Sequence, residues 1–196
     1  MFTGVAIKVV ENMEKNDVIA YEDREIYLFG VQQSLIILLN LLTMAIIGLT
    51  LGAFGHIVTF SIAYIPLRSF AGGYHASTPM KCYIASSAMI VCVALLSRLV
   101  FIENIPIIIL LLLIGIIIMV LSPIGNENKP LDSLEKKVYK KKAVTICIIQ
   151  IVIAVIFLSL SVHFVSIGIF WAQAMVLLLL SLEIFFGRRK GASTCT

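Results

Sequence analysis

The chain is a series of long apolar runs separated by short polar links. The runs cover residues 28–48, 51–66, 83–101, 105–121, 143–160 and 167–186. About 20 consecutive apolar residues let an α-helix cross the hydrocarbon core of a bilayer, so the pattern predicts six membrane-spanning helices arranged as three hairpins. The second run is shorter than most of the others, and we expect it either to extend to Phe70 or to enter the bilayer only in part.

The first 27 residues follow a different pattern. Within residues 1–16, apolar side chains recur at helical spacing opposite charged and amide side chains. This stretch is too polar to span a membrane, and it lacks the charged start, apolar centre and cleavage site of a signal peptide. It predicts an amphipathic helix in the membrane interface. The acidic stretch 18–27 is expected to continue helically into the first span.

Composition indicates a membrane protein with one domain. Of 196 residues, 60% are hydrophobic and 13% are charged, and the mean hydropathy is +1.06. A soluble domain is about one quarter charged. The predicted fold class is all-α, a polytopic membrane helical bundle of about six transmembrane helices plus the interfacial helix. Its predicted parts are the N-terminal segment (1–27), a first hairpin (28–66), a polar loop (67–82), a second hairpin (83–121), a basic loop (122–142), a third hairpin (143–186) and a basic tail (187–196).

Basic residues are distributed unevenly between the links. Links 49–50, 102–104 and 161–166 contain no Lys or Arg, whereas the loops 67–82 and 122–142 and the tail contain eleven. Lys and Arg mark the cytoplasmic side of a membrane protein, so both termini and the loop 67–82 are predicted to lie in the cytosol. Arg98 departs from this rule and is expected to snorkel or to pair with Glu103. Basic residues beside apolar runs report topology and anionic lipid, and no nucleic-acid partner is predicted.

The sequence has four cysteines: Cys82, Cys92, Cys147 and Cys195. They include no CxxC pair, and their spacing does not suit a zinc site. Neither a metal nor a cofactor is predicted. Cys92 and Cys147 fall in apolar runs, where a small, inert, buried thiol is expected. Only Cys82 lies in a setting that would activate it.

The loop 67–82 contains the only close pair of His and Cys, His75 and Cys82. Seven residues on a straight helix span roughly 10 Å, too far for direct proton transfer, so the chain must bend between them. Gly72-Gly73 frees the backbone, and Thr78-Pro79 predicts an N-cap followed by the first residue of a new helix. Cys82 would then lie in a first helical turn, where unpaired N–H groups favour the thiolate and His75 can act as its base.

Each of these features also has a simpler interpretation. A Cys and a His in one loop often have no joint function. Arg68 could bind a carboxylate or an oxyanion, or it could be a cytoplasmic anchor. The lysines of the basic loop could bind the lipid surface or an acidic peptide. Amides within the runs are expected to form interhelical hydrogen bonds, and Glu183 is expected to pair with the terminal arginines.

These motifs resemble the accessory gene regulator B (AgrB) family, bacterial membrane endopeptidases that process quorum-sensing propeptides. The resemblance rests on Leu67-Arg68, Gly72-Gly73-Tyr74-His75 and Cys82, and extends to the acidic entry before Tyr27-Leu28-Phe29-Gly30 and to Pro123 through Asn128-Lys129-Pro130-Leu131 with Glu135. It implies a cysteine endopeptidase at the cytoplasmic face of the bacterial cell membrane, with His75 as general base and Cys82 as nucleophile. Arg68 and Gly73 are motif positions to which it assigns no role.

The resemblance also implies a substrate, a short membrane-associated propeptide of the AgrD type. Cys82 would remove the acidic C-terminal tail and hold the rest as a thioester, which an internal thiol or hydroxyl would displace to close a thiolactone or lactone ring. The candidate supporting or substrate-binding residues are Arg68, Gly73, Lys129, Lys136, Lys137, Lys140 and Lys141. A peptide exporter or membrane scaffold remains the alternative function, and a homo-oligomer is left open.

Overall fold

The computed structural model describes residues 3–16, 18–73, 79–99, 104–125 and 132–193, with side chains described as far as residue 185. These ranges form seven α-helices and a short 3-10 turn at Tyr21–Asp23. The helices are α1 Thr3–Lys15, α2 Arg24–Thr50, α3 Phe54–Ala71, α4 Pro79–Leu99, α5 Asn104–Leu121, α6 Ser133–Ser159 and α7 His163–Ser193. The prediction of an all-helical membrane bundle is confirmed.

Four of the helices are long and apolar enough to cross a membrane: α2, α4 from Met80, α6, and α7 as far as Phe185. Helices α3 and α5 have 18 residues each. At 1.5 Å per residue they are about 27 Å long, slightly less than the hydrocarbon core of a bilayer. The expected extension of the second run is confirmed, because α3 continues through Phe70 to Ala71.

The basic loop was predicted over 122–142, but its second half is helical. Helix α6 begins at Ser133, so five of the six lysines of this segment lie on a helix. Asp132 and Glu135 form a capping box in which the Glu135 carboxylate accepts a hydrogen bond from the Asp132 backbone N–H, 3.2 Å away. Capping satisfies backbone donors that the first turn would otherwise leave unpaired, which is why the helix begins ten residues before the apolar run.

Helices α3, α5, α6 and α7 form the core of the bundle. The core has two apolar clusters, one around Phe60, Leu111 and Phe170 and the other around Leu67, Ile118 and Leu180. Successive apolar helices alternate in direction. We call the end where α3 and α5 end and α4 and α6 begin the Gly72 end, and the opposite end, which contains the turn Leu51–Ala53, the Leu51 end.

Helices α2 and α4 pack together at the side of this core, and their contact includes polar side chains. The hydroxyls of Thr43 and Tyr83 are 2.8 Å apart, and the Ser86 hydroxyl donates to the Asn40 amide oxygen at 2.9 Å. The expectation that amides within the runs form interhelical hydrogen bonds is confirmed here and at Gln150, whose amide donates to the Ala63 carbonyl at 2.7 Å.

Helix α1 folds back on α2. Ala6 and Val10 are fully buried, whereas Val5 and Val9 remain exposed. Arg24 at the start of α2 pairs with carboxylates of α1, at 3.9 Å to Glu11 and 3.5 Å to Glu14. The predicted amphipathic helix is therefore present, and its location in the membrane interface stays a prediction.

One prediction about a single side chain is wrong, and another stays a prediction. Cys92 is exposed on α4 rather than buried. Both the core and the lipid-facing surface of a membrane bundle are apolar, so an apolar run does not indicate which face of its helix is buried. The guanidinium of Arg98 donates to the Leu51 carbonyl at 2.6 Å, and the expectation that it snorkels or pairs with Glu103 stays a prediction. Glu103 lies outside the described residues.

Candidate functional site at the Gly72 end

The nucleophile candidate occupies the predicted position. Helix α4 begins at Pro79, whose fixed φ and missing N–H suit a first helical residue, so that part of the prediction is confirmed. Cys82 is the fourth residue of this helix, and it is exposed. It therefore lies in the first turn, among backbone N–H groups that have no partner within the helix.

The base candidate cannot be placed in the same way. His75 falls in 74–78, outside the described residues, and Lys129 falls in 126–131, also outside them. The predicted bend between His75 and Cys82 therefore stays a prediction. Its two flanks, Gly73 and Pro79, are described.

Gly72 ends α3 with a left-handed backbone conformation, at φ +82°. It forms a parallel bridge with Ile124, and the Ile124 N–H donates to the Ala71 carbonyl at 3.0 Å. A Cβ atom built on Gly72 would overlap the carbonyl oxygen of Ile124. The segment that leaves α3 is thus held by close backbone contact with the segment that leaves α5, and only glycine fits there.

Gly73 continues this path and is buried against α7. Its φ is +107°, again in the range that favours glycine. A Cβ atom built on it would lie 3.1 Å from the carbonyl carbon and oxygen of Leu179 and 3.2 Å from the nitrogen of Leu180. The sequence assigned no role to Gly73, and the structure shows that it allows the chain to pass directly over the backbone of α7.

Arg68 reaches the same turn from the last helical turn of α3. Its Nη1 donates to the Gly72 carbonyl, and its Nη2 donates to the Gly73 carbonyl at 3.3 Å. The Tyr64 hydroxyl lies close to its guanidinium, and the Tyr64 ring stacks on Phe60 with ring centroids 5.1 Å apart. Arg68 is half-buried. The structure therefore joins the arginine of the motif to the backbone of both glycines of the motif.

The lysines of α6 lie next to this turn. The Lys140 ammonium donates to the Val120 carbonyl near the end of α5 at 3.0 Å, and the Lys142 ammonium lies 4.9 Å from the centre of the Phe70 ring. Tyr139 packs edge-on against Phe70, with centroids 5.5 Å apart. Lys136, Lys137 and Lys141 are exposed.

The helix lengths determine how far the starts of α2 and α6 extend beyond the turn Gly72–Gly73. Helices α2 and α6 each have 27 residues, nine more than α3. Since α2 joins α3 through a tight turn at the Leu51 end, its other end extends about 13 Å beyond the end of α3. Tyr139 of α6 is level with Phe70, so residues 133–138 also extend past α3. The start of α6, which carries Lys136 and Lys137, therefore lies beyond the end of α3.

The chain matches a family model. The model is described as accessory gene regulator B, and it matches residues 6–184. The chain belongs to this family. A search of curated proteins and a search of solved structures gave no match. Membership in the AgrB family gives the chain a role in the accessory gene regulator system of quorum sensing, in a membrane, with an AgrD propeptide as the substrate that the family implies.

The other cysteines of this AgrB-family chain differ from Cys82 in position. Cys147 is buried in the core, as predicted, beside the Gly115 carbonyl and Gln173. Cys92 is exposed on α4 nearly three helical turns beyond Cys82. Among the described residues, no three His, Cys, Asp or Glu side chains are grouped so that they could hold a metal ion.

Two contacts of the site were missed by the sequence analysis. Tyr64 precedes Arg68 by four residues on an apolar helix, and this i, i+4 spacing was a readable signal that the two side chains meet. The contact between Gly72 and Ile124 had no such signal. These residues are 52 positions apart, and their meeting depends on how α3 and α5 pack around α7.

Proposed function

We propose that the chain is the cysteine endopeptidase that removes the C-terminal tail of an AgrD-type propeptide, with Cys82 as nucleophile and His75 as general base. The observation that carries this proposal is the exposure of Cys82 in the first turn of α4, at the end of the bundle where Arg68, Gly72 and Gly73 meet. A thiol at a helix start lies beside unpaired N–H groups, which stabilise negative charge on sulfur and on the oxygen of a tetrahedral intermediate.

The first half of the reaction is cleavage. The Cys82 sulfur attacks the carbonyl carbon of the scissile peptide bond, and His75 takes the thiol proton. The C–N bond then breaks, and His75 gives that proton to the leaving amine of the tail. The remaining propeptide stays attached to Cys82 as a thioester.

The second half is ring closure. An internal thiol or hydroxyl of the propeptide attacks the thioester carbonyl, the bond to the Cys82 sulfur breaks, and the Cys82 thiolate is regenerated. The attacking group loses its proton to His75. The step needs no ATP, because the thioester retains much of the reactivity of the acyl group and the attack is intramolecular.

The basic start of α6 supports an acidic substrate. Two of its exposed lysines, Lys136 and Lys137, lie beyond the end of α3, next to the turn that leads towards the site. We propose that they attract the acidic tail of the propeptide, together with Lys129 of the preceding segment. This makes Lys136, Lys137 and Lys141 binding residues, whereas Lys140 is also bonded to the protein backbone.

The peptidase function is tested by co-expressing the chain with a tagged propeptide and following cleavage as a gel shift, with membrane levels matched by blot. Cys82→Ala, Cys82→Ser and His75→Ala should each abolish cleavage. The double variant should be little worse than either single variant, since members of a catalytic unit are non-additive. Cys92→Ser, on the same helix, is the matched control and should cleave normally. Robust cleavage by Cys82→Ala or Cys82→Ser would reject the peptidase and favour the exporter or scaffold.

We also propose that the Gly72 end faces the cytosol, with both chain termini on that side. The proposal is supported by the concentration of lysine and arginine at this end. Single cysteines introduced at Thr50, Asn104 and Ser133 in a cysteine-free chain test it. An impermeant thiol reagent added outside should label the first two positions and not the third, and the opposite pattern would reverse the orientation.

A further inference from the structure

We propose that Arg68 is a positioning residue. Its guanidinium holds the turn Gly72–Gly73, from which the segment containing His75 departs, and it does not bind a carboxylate of the substrate. The expected effect of Arg68 on catalysis rests on the proposed peptidase function, but its role in holding the turn does not. A positioning role replaces both roles that the sequence left open for Arg68, substrate binding and a cytoplasmic anchor.

The geometry supports a role that only arginine fills. Nη1 and Nη2 are the two ends of a planar fork, and each donates to one of two successive carbonyls, those of Gly72 and Gly73. A fork of fixed shape fixes the direction of both peptide units. A lysine ammonium is a single point of charge on a flexible stem, so it can approach one carbonyl but does not set the angle between two.

The turn needs such a partner because its backbone has few local bonds. The Gly72 N–H donates to the Arg68 carbonyl at 3.2 Å, as the last bond of α3. Beyond it, the chain enters two glycine conformations with positive φ. Gly73 is buried and Gly72 is half-buried, so their carbonyls need partners within the protein, and Arg68 supplies them.

The same contacts argue against substrate binding. Each Nη atom carries two N–H groups, and the turn uses each Nη atom once, so a carboxylate bound end-on would have to share both Nη atoms with the Gly72 and Gly73 carbonyls. Such sharing would weaken the bonds to the turn at the moment when the site has to be assembled. Tyr64 further limits the space around the guanidinium, because its hydroxyl lies close to Arg68 while its ring is stacked on Phe60.

The kinetic test compares Arg68→Lys with Arg98→Lys, the other arginine that donates to a turn carbonyl, at the opposite end of the bundle. If Arg68 positions the turn, Arg68→Lys should lower kcat about tenfold or more while KM stays within about twofold. Arg98→Lys should leave both constants unchanged. Tyr64→Phe, which keeps the stacked ring, should lower kcat in the same direction by a smaller factor.

A second arm removes acidic residues from the propeptide. The effects of Arg68→Lys and of neutralising the substrate carboxylates should be independent, so the double change should equal the product of the single ones. A raised KM with unchanged kcat, or an effect of Arg68→Lys that disappears on the neutral substrate, would overturn the proposal and return Arg68 to substrate binding.

A third arm needs no substrate and therefore separates this proposal from the peptidase function. Hydrogen exchange of the segment 122–125 reports the bond from the Ile124 N–H to the Ala71 carbonyl. Arg68→Lys should speed exchange of this segment, and Arg98→Lys should not, in protein of unchanged helix content. Unchanged exchange in Arg68→Lys would overturn the positioning role even if this variant lost cleavage. If Arg68→Lys speeds exchange but the unsubstituted chain cleaves no propeptide, only the peptidase function is rejected.

Discussion

Two turns at opposite ends of the bundle are both bonded by an arginine, but they depend on it to different degrees. At the Leu51 end, Arg98 of α4 donates to one carbonyl, that of Leu51. At the Gly72 end, Arg68 donates to two, those of Gly72 and Gly73. The first turn connects α2 and α3 and carries no candidate for chemistry, whereas the second leads to the candidate site.

The Leu51 turn is closed by its own backbone. The N–H groups of Leu51, Gly52 and Ala53 donate to Ile47, Leu49 and Gly48 at 3.0, 3.2 and 2.9 Å. All these partners are within five residues in the sequence. The bond from Arg98 adds to a turn whose three N–H groups already have local partners, so we expect the turn to survive without it.

The Gly72 turn is held instead by distant residues. Ile124, Leu179 and Leu180 contact it from α7 and from the segment after α5. It can form only when the helices that supply these contacts are packed. The candidate catalytic residues therefore lie next to a turn that forms only when the bundle is assembled. The turn that only reverses the chain is closed by local backbone bonds.

The largest expected effect comes from Gly72→Ala compared with Gly52→Ala. Both glycines have positive φ, +82° and +60°. At Gly72 the new methyl would overlap the Ile124 carbonyl, which together with backbone strain should cost about 3 kcal/mol of unfolding free energy and abolish cleavage. At Gly52 the nearest atom is the Arg98 Nη1 at 3.4 Å, so only a strain of about 1 kcal/mol is expected. Equal cleavage by the two variants would contradict the comparison.

Gly73→Ala should have an intermediate effect. Its methyl would lie 3.1 Å from the Leu179 carbonyl, closer than ordinary contact but without overlap. A shift of a few tenths of an ångström in the turn would relieve this contact, but the φ of +107° adds backbone strain. The bundle should therefore fold with reduced stability while kcat falls about tenfold, as expected when catalytic groups are slightly misplaced. The checks are a thermal melt for the fold and single-turnover cleavage for the rate. A normal rate would show that the path over α7 does not position the site.

The smallest effect is expected from neutralising the lysines of α6, which lie at the Gly72 end of the bundle. Lys136→Gln, Lys137→Gln and Lys141→Gln together should raise apparent KM severalfold at low salt, reduce its salt dependence and leave kcat nearly unchanged. Lys140→Gln is the matched single variant. Because Lys140 bonds to the Val120 carbonyl, its loss should lower stability by about 1 kcal/mol. An unchanged KM in the triple variant would leave these lysines as a lipid anchor.

The sequence predicted those parts of the site that depend on neighbours along the chain. The start of α4 at Pro79 follows from proline chemistry, and the place of Cys82 in its first turn follows from that start. The start of α6 at Ser133 was also readable, since Asp132 and Glu135 have the spacing of a capping box, but the charge of the segment favoured a loop.

The rest depends on packing, which a pattern of apolar residues does not determine. The bonds of Arg68 require the path of Gly72 and Gly73, and that path requires Ile124 and α7. The exposure of Cys92 has the same origin, because the face that α4 turns towards the core is set by its neighbours and not by its own apolar residues. In a membrane bundle, burial cannot be inferred from hydrophobicity alone.

The central claim is that Cys82 forms a thioester with the propeptide, and the direct measurement is the intact mass of the chain during the reaction. A propeptide whose ring-closing residue is replaced by Ala leaves no internal group to displace the thioester. The account predicts an adduct with the mass of the propeptide without its tail, located on Cys82, released by hydroxylamine and unaffected by Cys92→Ser. Release of the tail with no adduct at any time, or an adduct that remains in Cys82→Ala, would contradict it.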